Sequence, residues 1–415
     1  MNPNLARLQP YPFEKLRRLF AGVTPAPDRS PVDLSIGEPK HPTPDFIRRA
    51  LADNLDGLAR YPATIGTRSL REAIAGWLER RYALPAFNPD THVLPAKQRH
   101  AVFAINPDTH VLPVNGSREA LFALAQTVID GTRAGATVIC PNPFYQIYEG
   151  AALLAGASPY FVNSLADNAF QPRYDEVPED VWRRTQLLYT CSPGNPTGRV
   201  NTLEDWKLLF DLSDRHGFVI AADECYSELY YDEGRAPLGA LEAAHRLGRH
   251  DFARLVVLSS LSKRSNVPGM RSGFVAGDAS VLKSFLLYRT YHGGAMNPAV
   301  QAASEAAWKD EDHVRENRRL YAAKFRDALP LVAAPLATSM PEGGFYLWIR
   351  TPIDDTEFAR DLYRLYNVTV LPGSFLAREA HGVNPGANHI RVALVAPHDE
   401  CVEGVRRITE FAQSL

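Results

Sequence analysis

Between about Asp45 and Tyr82 apolar side chains recur every three to four positions: Phe46, Ile47, Ala50 and Leu51, then Leu70, Ile74, Trp77 and Leu78. That period predicts helix. Downstream the pattern shortens into apolar runs at Thr137–Cys140, Leu187–Thr190, Phe218–Ala222, Leu255–Leu258 and Ser272–Ala276, each bounded by turn formers. Such runs read as strands buried on both faces, as in a parallel sheet. Helical stretches such as Glu204–Asp214 separate several of them, the alternation expected of an α/β domain. A long helical stretch from Pro298 to Leu329 leads into mixed strands and helices and a last helix at Asp399–Ala412. Ahead of all this lies a proline-dense segment, from Pro3 through Pro44, which favours an extended arm. At 415 residues the chain exceeds one compact core. The expected organisation is an arm at 1–44 packed on a small α+β domain at 294–415, with a large domain of mostly parallel sheet and flanking helices at 45–293.

Charge and composition narrow the function classes. The net charge of −2 offers no general attraction to nucleic acid or to an anionic membrane, so any bound anion needs a local site. The four cysteines form no CxxC pattern, which gives metal or redox motifs no support and suits a reducing compartment. Charged Glu14, Lys15, Arg17 and Arg18 interrupt the N-terminal residues, unlike a signal peptide, and no apolar run approaches the ~20 residues of a membrane helix. A cytoplasmic protein is expected. One oddity stands out: Asn88–Pro95 recurs unchanged as Asn106–Pro113, and only the second copy runs into a glycine, at Gly116. The second copy is therefore expected to lead into a tight turn, and the first to loop out.

Four motifs carry candidate chemistry. Lys263 closes the run Leu258–Lys263 just past a buried strand; burial near other cations frees such an amine to form a Schiff base. Ser260, Ser262 and Arg271 supply donors suited to a phosphate. Asp223 ends the apolar strand Phe218–Ala222, where its carboxylate can pair with a protonated ring nitrogen, and Tyr226 follows three residues on. The rigid turn Ser192–Gly198 aims the Asn195 amide. Asn115-Gly116-Ser117-Arg118 opens a helix, where free amides and the dipole favour an anion; it is neither a P-loop nor a dinucleotide fingerprint. Each motif alone has an ordinary structural explanation. Their conjunction at successive strand ends does not.

With these motifs the chain resembles the fold-type-I pyridoxal-phosphate enzymes of the class I/II aminotransferase family over nearly its whole length. The resemblance implies pyridoxal 5′-phosphate as cofactor, with Lys263 bonded to it, Asp223 on its ring nitrogen, and Asn195 and Tyr226 on its phenolic oxygen. It further implies a phosphate cradle of Gly116, Ser117, Arg118, Ser260, Ser262 and Arg271, with Tyr145 stacked on the ring. Tyr61 would reach the neighbouring subunit's phosphate in a homodimer, while Gly37 and Arg391 would hold the substrate α-carboxylate. Longer stretches, among them Leu8–Glu14, Pro141–Tyr148, Ser260–Gly269, Tyr288–Gly293 and Leu371–Arg378, are similar to the proteobacterial N-succinyl-diaminopimelate aminotransferases of lysine biosynthesis. This implies glutamate and 2-oxoglutarate as one substrate pair. Transamination of another pair, aspartate for example, and a C–S lyase or synthase on the same fold stay open. A sensing regulator would need an appended DNA-binding unit, for which the arm shows no pattern. Lys40, His41, Arg264 and Arg289 are candidates for reading the far end of a substrate.

Overall fold

A computed structural model describes residues 1–86 and 104–415. Its strands are β1 (Val32–Asp33), β2 (Val111–Val114), β3 (Thr137–Asn142), β4 (Ser158–Asn163), β5 (Thr185–Cys191), β6 (Val219–Asp223), β7 (Leu255–Ser260), β8 (Gly273–Gly277), β9 (Tyr346–Arg350), β10 (Val368–Thr369), β11 (Leu371–Pro372) and β12 (His389–Ala393). Seven form one sheet in the order β2-β8-β7-β6-β5-β3-β4. Strands β3 to β7 run parallel, whereas β8 is antiparallel to both β7 and β2. Alternate residues of the central strands serve opposite cores. Ile139, Leu188, Ile220 and Val257 join Trp77, Trp206 and Trp308 on one face, while Cys140, Leu187, Ala221 and Val256 join Leu121, Leu124 and Tyr148 on the other. Burial on both faces is why these strands read as unbroken apolar runs. Strand β4, at the edge and mostly half-exposed, holds only the short run Tyr160–Val162 behind Pro159 and does not stand out in the pattern.

A second sheet, β11-β12-β9, is antiparallel. The arm pairs in parallel with β10 through β1, a separate two-stranded sheet extended by Leu34 N–H donating to Thr369, and reaches the second sheet through the Leu34 carbonyl, which accepts from Ala393. Val32 and Leu34 share a core there with Phe325, Leu347, Ile349, Ile390 and Phe411.

Two helical expectations resolve differently in space. The stretch Asp45–Tyr82 is two helices, Asp45–Ala52 and Arg68–Tyr82, the second capped by Thr67, whose side chain accepts from Leu70 N–H. The stretch from Pro298 is also two, Pro298–Lys309 and Asp312–Ala333. The first buries Ala303, Ala307 and Trp308 beside Trp77 under the large sheet; the second carries Phe325, Ala328 and Val332 into the C-terminal core. A helical apolar period says that a face is buried but not against which core. The second copy of the repeat, Asn106–Pro113, turns and enters β2, which delivers the chain to Gly116. The first copy lies outside the described residues. Among the described residues, no helix is long and apolar enough to cross a membrane, and no group of three or more His, Cys, Asp or Glu side chains could hold a metal ion.

Candidate active site

Strands β2, β3, β5, β6 and β7 end on a cavity of about 520 Å³ that the arm and strands β9 and β12 close from the other side. In open α/β sheets the carboxyl ends of the strands are the general place for a ligand, since loops and helix N-termini converge there. Gly37, Ser117, Arg118, Tyr145, Asn195, Asp223, Tyr226, Ser260, Ser262, Lys263, Arg271 and Arg391 all line it.

Lys263 lies on the short helix Leu261–Arg264, which Ser260 caps by accepting from Ser262 N–H at 3.1 Å. Its Nζ donates to the Gly37 carbonyl at 2.8 Å. Burial brings its pKa down to about 8; Cys225 and Glu38 oppose this, and Arg391 and Arg271 add to it. Near neutral pH a useful fraction of the amine is thus unprotonated and nucleophilic. Asp223 is buried at the end of β6, accepting from Tyr148 Oη at 2.7 Å and Cys225 N–H at 3.2 Å. Burial raises its pKa, while donors from Cys225 and Tyr148 hold it down. A buried carboxylate served by so few donors suits a cationic partner such as a protonated pyridine nitrogen.

At the opposite end, Ser260 Oγ donates to Ser262 Oγ at 2.8 Å. Arg271, in the left-handed region at φ +56°, is steadied by the Pro268 carbonyl at 2.9 Å. Gly116, at φ +83°, lies against it: a Cβ there would stand 2.4 Å from Arg271 Nη2. The helix Ser117–Val128 begins at Gly116 with no side-chain cap, leaving its first amides for an anion. Hydroxyls, guanidinium and free amides around a space kept by glycine fit the phosphate of pyridoxal phosphate.

Arg391, on β12, donates to Asn195 Oδ1 at 3.1 Å and to the Ser35 carbonyl at 2.9 Å, and lies 4.3 Å over the Tyr346 ring. Its Nε is buried without a hydrogen-bond partner, and it pairs with no carboxylate among the described residues. A buried guanidinium so placed invites a carboxylate. Gly37 permits the arm to approach: a Cβ there would fall 1.9 Å from Tyr346 Oη.

Tyr61 does not line this cavity and is fully exposed. Nor do the four candidates for the substrate's far end. Arg264 is buried between Trp77 and Trp308 and paired with Glu311, while Arg289 is buried against the Pro113 carbonyl and Glu119. Both are packing elements, correcting the expectation drawn from their neighbouring motifs. His41 bonds Asn317, and Lys40 is exposed.

Several site residues escaped sequence reasoning. Tyr148 shares a motif with Tyr145, one helical turn on, but its partner Asp223 is far along the chain. Cys225 donates to Ser117 Oγ at 2.9 Å. Tyr346, 3.0 Å from Tyr226 Oη, had no local signal at all, because only the β9–β12 pairing brings it beside Arg391. Tyr11 enters the cavity from the arm, near Arg118.

Comparison with known proteins agrees with this geometry. The family model of aminotransferase class I and II matches residues 29–408. LL-diaminopimelate aminotransferase 2 of Trichormus variabilis is 28% identical over 98% of this chain and 97% of its own length. The LL-diaminopimelate aminotransferase of Maridesulfovibrio salexigens is 29% identical over 98% of each chain. Among solved structures, an aminotransferase from Neisseria meningitidis superposes with a TM-score of 0.91 at 48% identity, covering 99% of this chain and 100% of that one. A probable N-succinyldiaminopimelate aminotransferase from Thermus thermophilus gives 0.80 at 25% identity, covering 96% and 100%. With a strand-end lysine, a buried aspartate and a glycine-lined anion cradle around one cavity, and with that match spanning most of its length, the chain belongs to the class I/II aminotransferases, enzymes that use pyridoxal phosphate.

Proposed function

We propose that this aminotransferase exchanges an amino group between the glutamate/2-oxoglutarate pair and N-succinyl-LL-2,6-diaminopimelate, as part of lysine and diaminopimelate synthesis. The observation that carries the reading is Arg118. Its guanidinium lines the cavity, donates to Tyr145 Oη at 2.6 Å and faces the Tyr11 ring, yet has no carboxylate partner among the described residues. Beside Arg271 at the phosphate end, Arg118 and Arg391 are two guanidinia of this cavity without a described carboxylate partner, which suits a substrate with carboxylates at both ends. The names of the Thermus structure and of the curated relatives support the diaminopimelate class.

In this reading, bound pyridoxal phosphate supplies an electron sink for the charge left when a Cα proton departs. Arg391 grips the α-carboxylate, and the Asn195 amide fixes that guanidinium. Lys263 Nζ, free to act as a base, would carry a proton between the substrate Cα and the cofactor's aldehyde carbon. Asp223, its rotamer held by Tyr148, would pair with the ring nitrogen. Tyr226, steadied by Tyr346, would donate to the phenolic oxygen.

A second reading, LL-diaminopimelate without the succinyl group, is favoured by the names of the Trichormus and Maridesulfovibrio relatives. Measuring kcat/KM for N-succinyl-LL-diaminopimelate, LL-diaminopimelate and aspartate with 2-oxoglutarate decides between them. The succinylated donor should exceed aspartate by about 100-fold or more, because a site built for a distant polar group is left unpaired without it. A preference for LL-diaminopimelate selects the second reading; a preference for aspartate ends both. Arg118→Met should erase the preference while leaving in place the backbone amide at 118 that faces the phosphate.

The same reading includes a homodimer in the cytoplasm. Tyr61 is 104% exposed and absent from its own chain's cavity, and Leu55, Leu58, Leu287 and Tyr291 are also exposed apolar residues that a partner would cover. All four cysteines are unpaired, as suits a reducing compartment. Light scattering of the holoenzyme should give twice the chain mass; an active monomer would remove the dimer from the reading.

A further inference from the structure

The turn after β6 sends three side chains, Asp223, Cys225 and Tyr226, into the cavity. Glu224 takes no part in the cavity lining, and its side chain is directed instead into the protein interior. It is 1% exposed, and its carboxylate is held at both oxygens: Oε1 accepts from Ala240 N–H at 2.6 Å and Oε2 from Tyr82 Oη at 2.5 Å. Its backbone is held as well, N–H donating to Leu258 and carbonyl accepting from Ser227 N–H.

The receiving side is shaped for this contact. Tyr82 is the last residue of the helix Arg68–Tyr82 and is 2% exposed. Its ring lies against Gly239, where an added Cβ would meet Cε1 at 2.3 Å, Cζ at 2.5 Å and Oη at 2.9 Å. Gly239 has an ordinary extended backbone, φ −84°, so its conformation does not demand glycine. The space for the Tyr82 ring does. One segment on, Glu228 is buried and paired with Arg81 at 2.7 Å, the residue before Tyr82, so the turn is tied to the same helix end twice.

We infer that Glu224 is a positioning residue for the cofactor site: clamped between Tyr82 and the Ala240 amide, it sets the orientation of the turn that presents Asp223 and Tyr226. A buried carboxylate cannot leave its donors without a large desolvation cost. The backbone at 224 is therefore pinned, and residues one before and two after it are aimed from that pin. Tyr148 and Cys225 hold the Asp223 carboxylate from the cavity side and the pairing with β5 and β7 holds its backbone, while the anchor at Glu224 fixes how the chain leaves that strand end. This rests on the assignment of Asp223 and Tyr226 to the cofactor ring.

The test uses holoenzyme of Tyr82→Phe, Gly239→Ala and Glu224→Gln, with Asp223→Asn as reference. Tyr82→Phe removes one hydroxyl, Gly239→Ala pushes the ring, and Glu224→Gln keeps an acceptor for Ala240. Each is read by the pH midpoint of the bound cofactor's visible absorption band, by cofactor Kd, by kcat and KM, and by thermal melting. Tyr82→Phe and Gly239→Ala should each move the spectral midpoint by about half a unit or more and lower kcat about tenfold, with KM for the amino donor within about twofold. Glu224→Gln should be milder than Tyr82→Phe. A lowered melting temperature with unchanged spectrum and kcat in Tyr82→Phe overturns the inference, since a merely structural contact would do that. If Asp223→Asn leaves the spectrum unchanged too, it is the assignment of Asp223 that falls. Should the Gly239 or Glu224 variants fail to fold, Tyr82→Phe alone decides.

Discussion

Gly116→Ala separates two effects that the structure places at one position. The residue sits at φ +83° and ψ 157°, a region essentially confined to glycine, where a side chain costs about 1–3 kcal/mol. That strain is present with or without cofactor, so it lowers stability and not affinity. The second effect is local: the new Cβ would lie 2.4 Å from Arg271 Nη2 and 2.9 Å from Cζ, so the guanidinium must move. Its base stays tethered, but the displaced head loses a charge-assisted bond to the phosphate, worth about 1.5–3 kcal/mol. At 1.4 kcal/mol per tenfold, cofactor Kd should rise roughly 10- to 150-fold. The assay is titration of stripped protein with pyridoxal phosphate, followed by absorbance, beside thermal melting of the same protein. In an Arg271→Ala background the Gly116 substitution should still lower the melting temperature and yet cost little further affinity, because the group it displaces is gone. A Kd within about threefold of wild type would refute the cradle. So would an equal loss of affinity in the Arg271→Ala background.

Three further outcomes follow from the same geometry. Because burial lowers the Lys263 pKa to about 8, the rate at which stripped enzyme recaptures pyridoxal phosphate should rise with pH and inflect near 8, where the free amine appears; an inflection near the ordinary 10.5 would contradict this. Tyr148→Phe removes the 2.7 Å hydrogen bond to Asp223 and should lower kcat about tenfold with little change in KM, as the loss of a hydrogen bond to a charged group would. A kcat within twofold would show that Asp223 needs no such support. Arg264→Ala empties a place between Trp77 and Trp308 and abandons Glu311, so denaturant unfolding should show a loss of about 3 kcal/mol with KM unchanged. A selective rise in KM for the diaminopimelate donor would instead return Arg264 to the substrate site.

What the sequence determined by itself were the features whose cause is local. A strand buried on both faces must be apolar throughout, so β3, β5, β6 and β7 showed as runs. A turn at a strand end must be built from Gly, Pro, Asn or Ser, so the motifs around Gly116, Asn195, Asp223 and Lys263 stood out with their chemistry attached. The second copy of the repeat could be placed because it runs into glycine; the first lies outside the described residues. Tertiary structure decided the rest, because the cause lies in residues distant along the chain. Strand β4 was hidden by its half-exposed edge position, and the helix Pro298–Lys309 declared its core only through Trp77. Arg264 and Arg289 look like site residues beside their motifs, yet half-buried carboxylates and backbone carbonyls elsewhere in the chain claim them. Arg118 was visible as a helix start, but that no carboxylate among the described residues pairs with it emerges only from the tertiary structure. Tyr346, Tyr148 and Glu224 act through Arg391, Asp223 and Tyr82, partners 45 or more positions away, which no local period encodes.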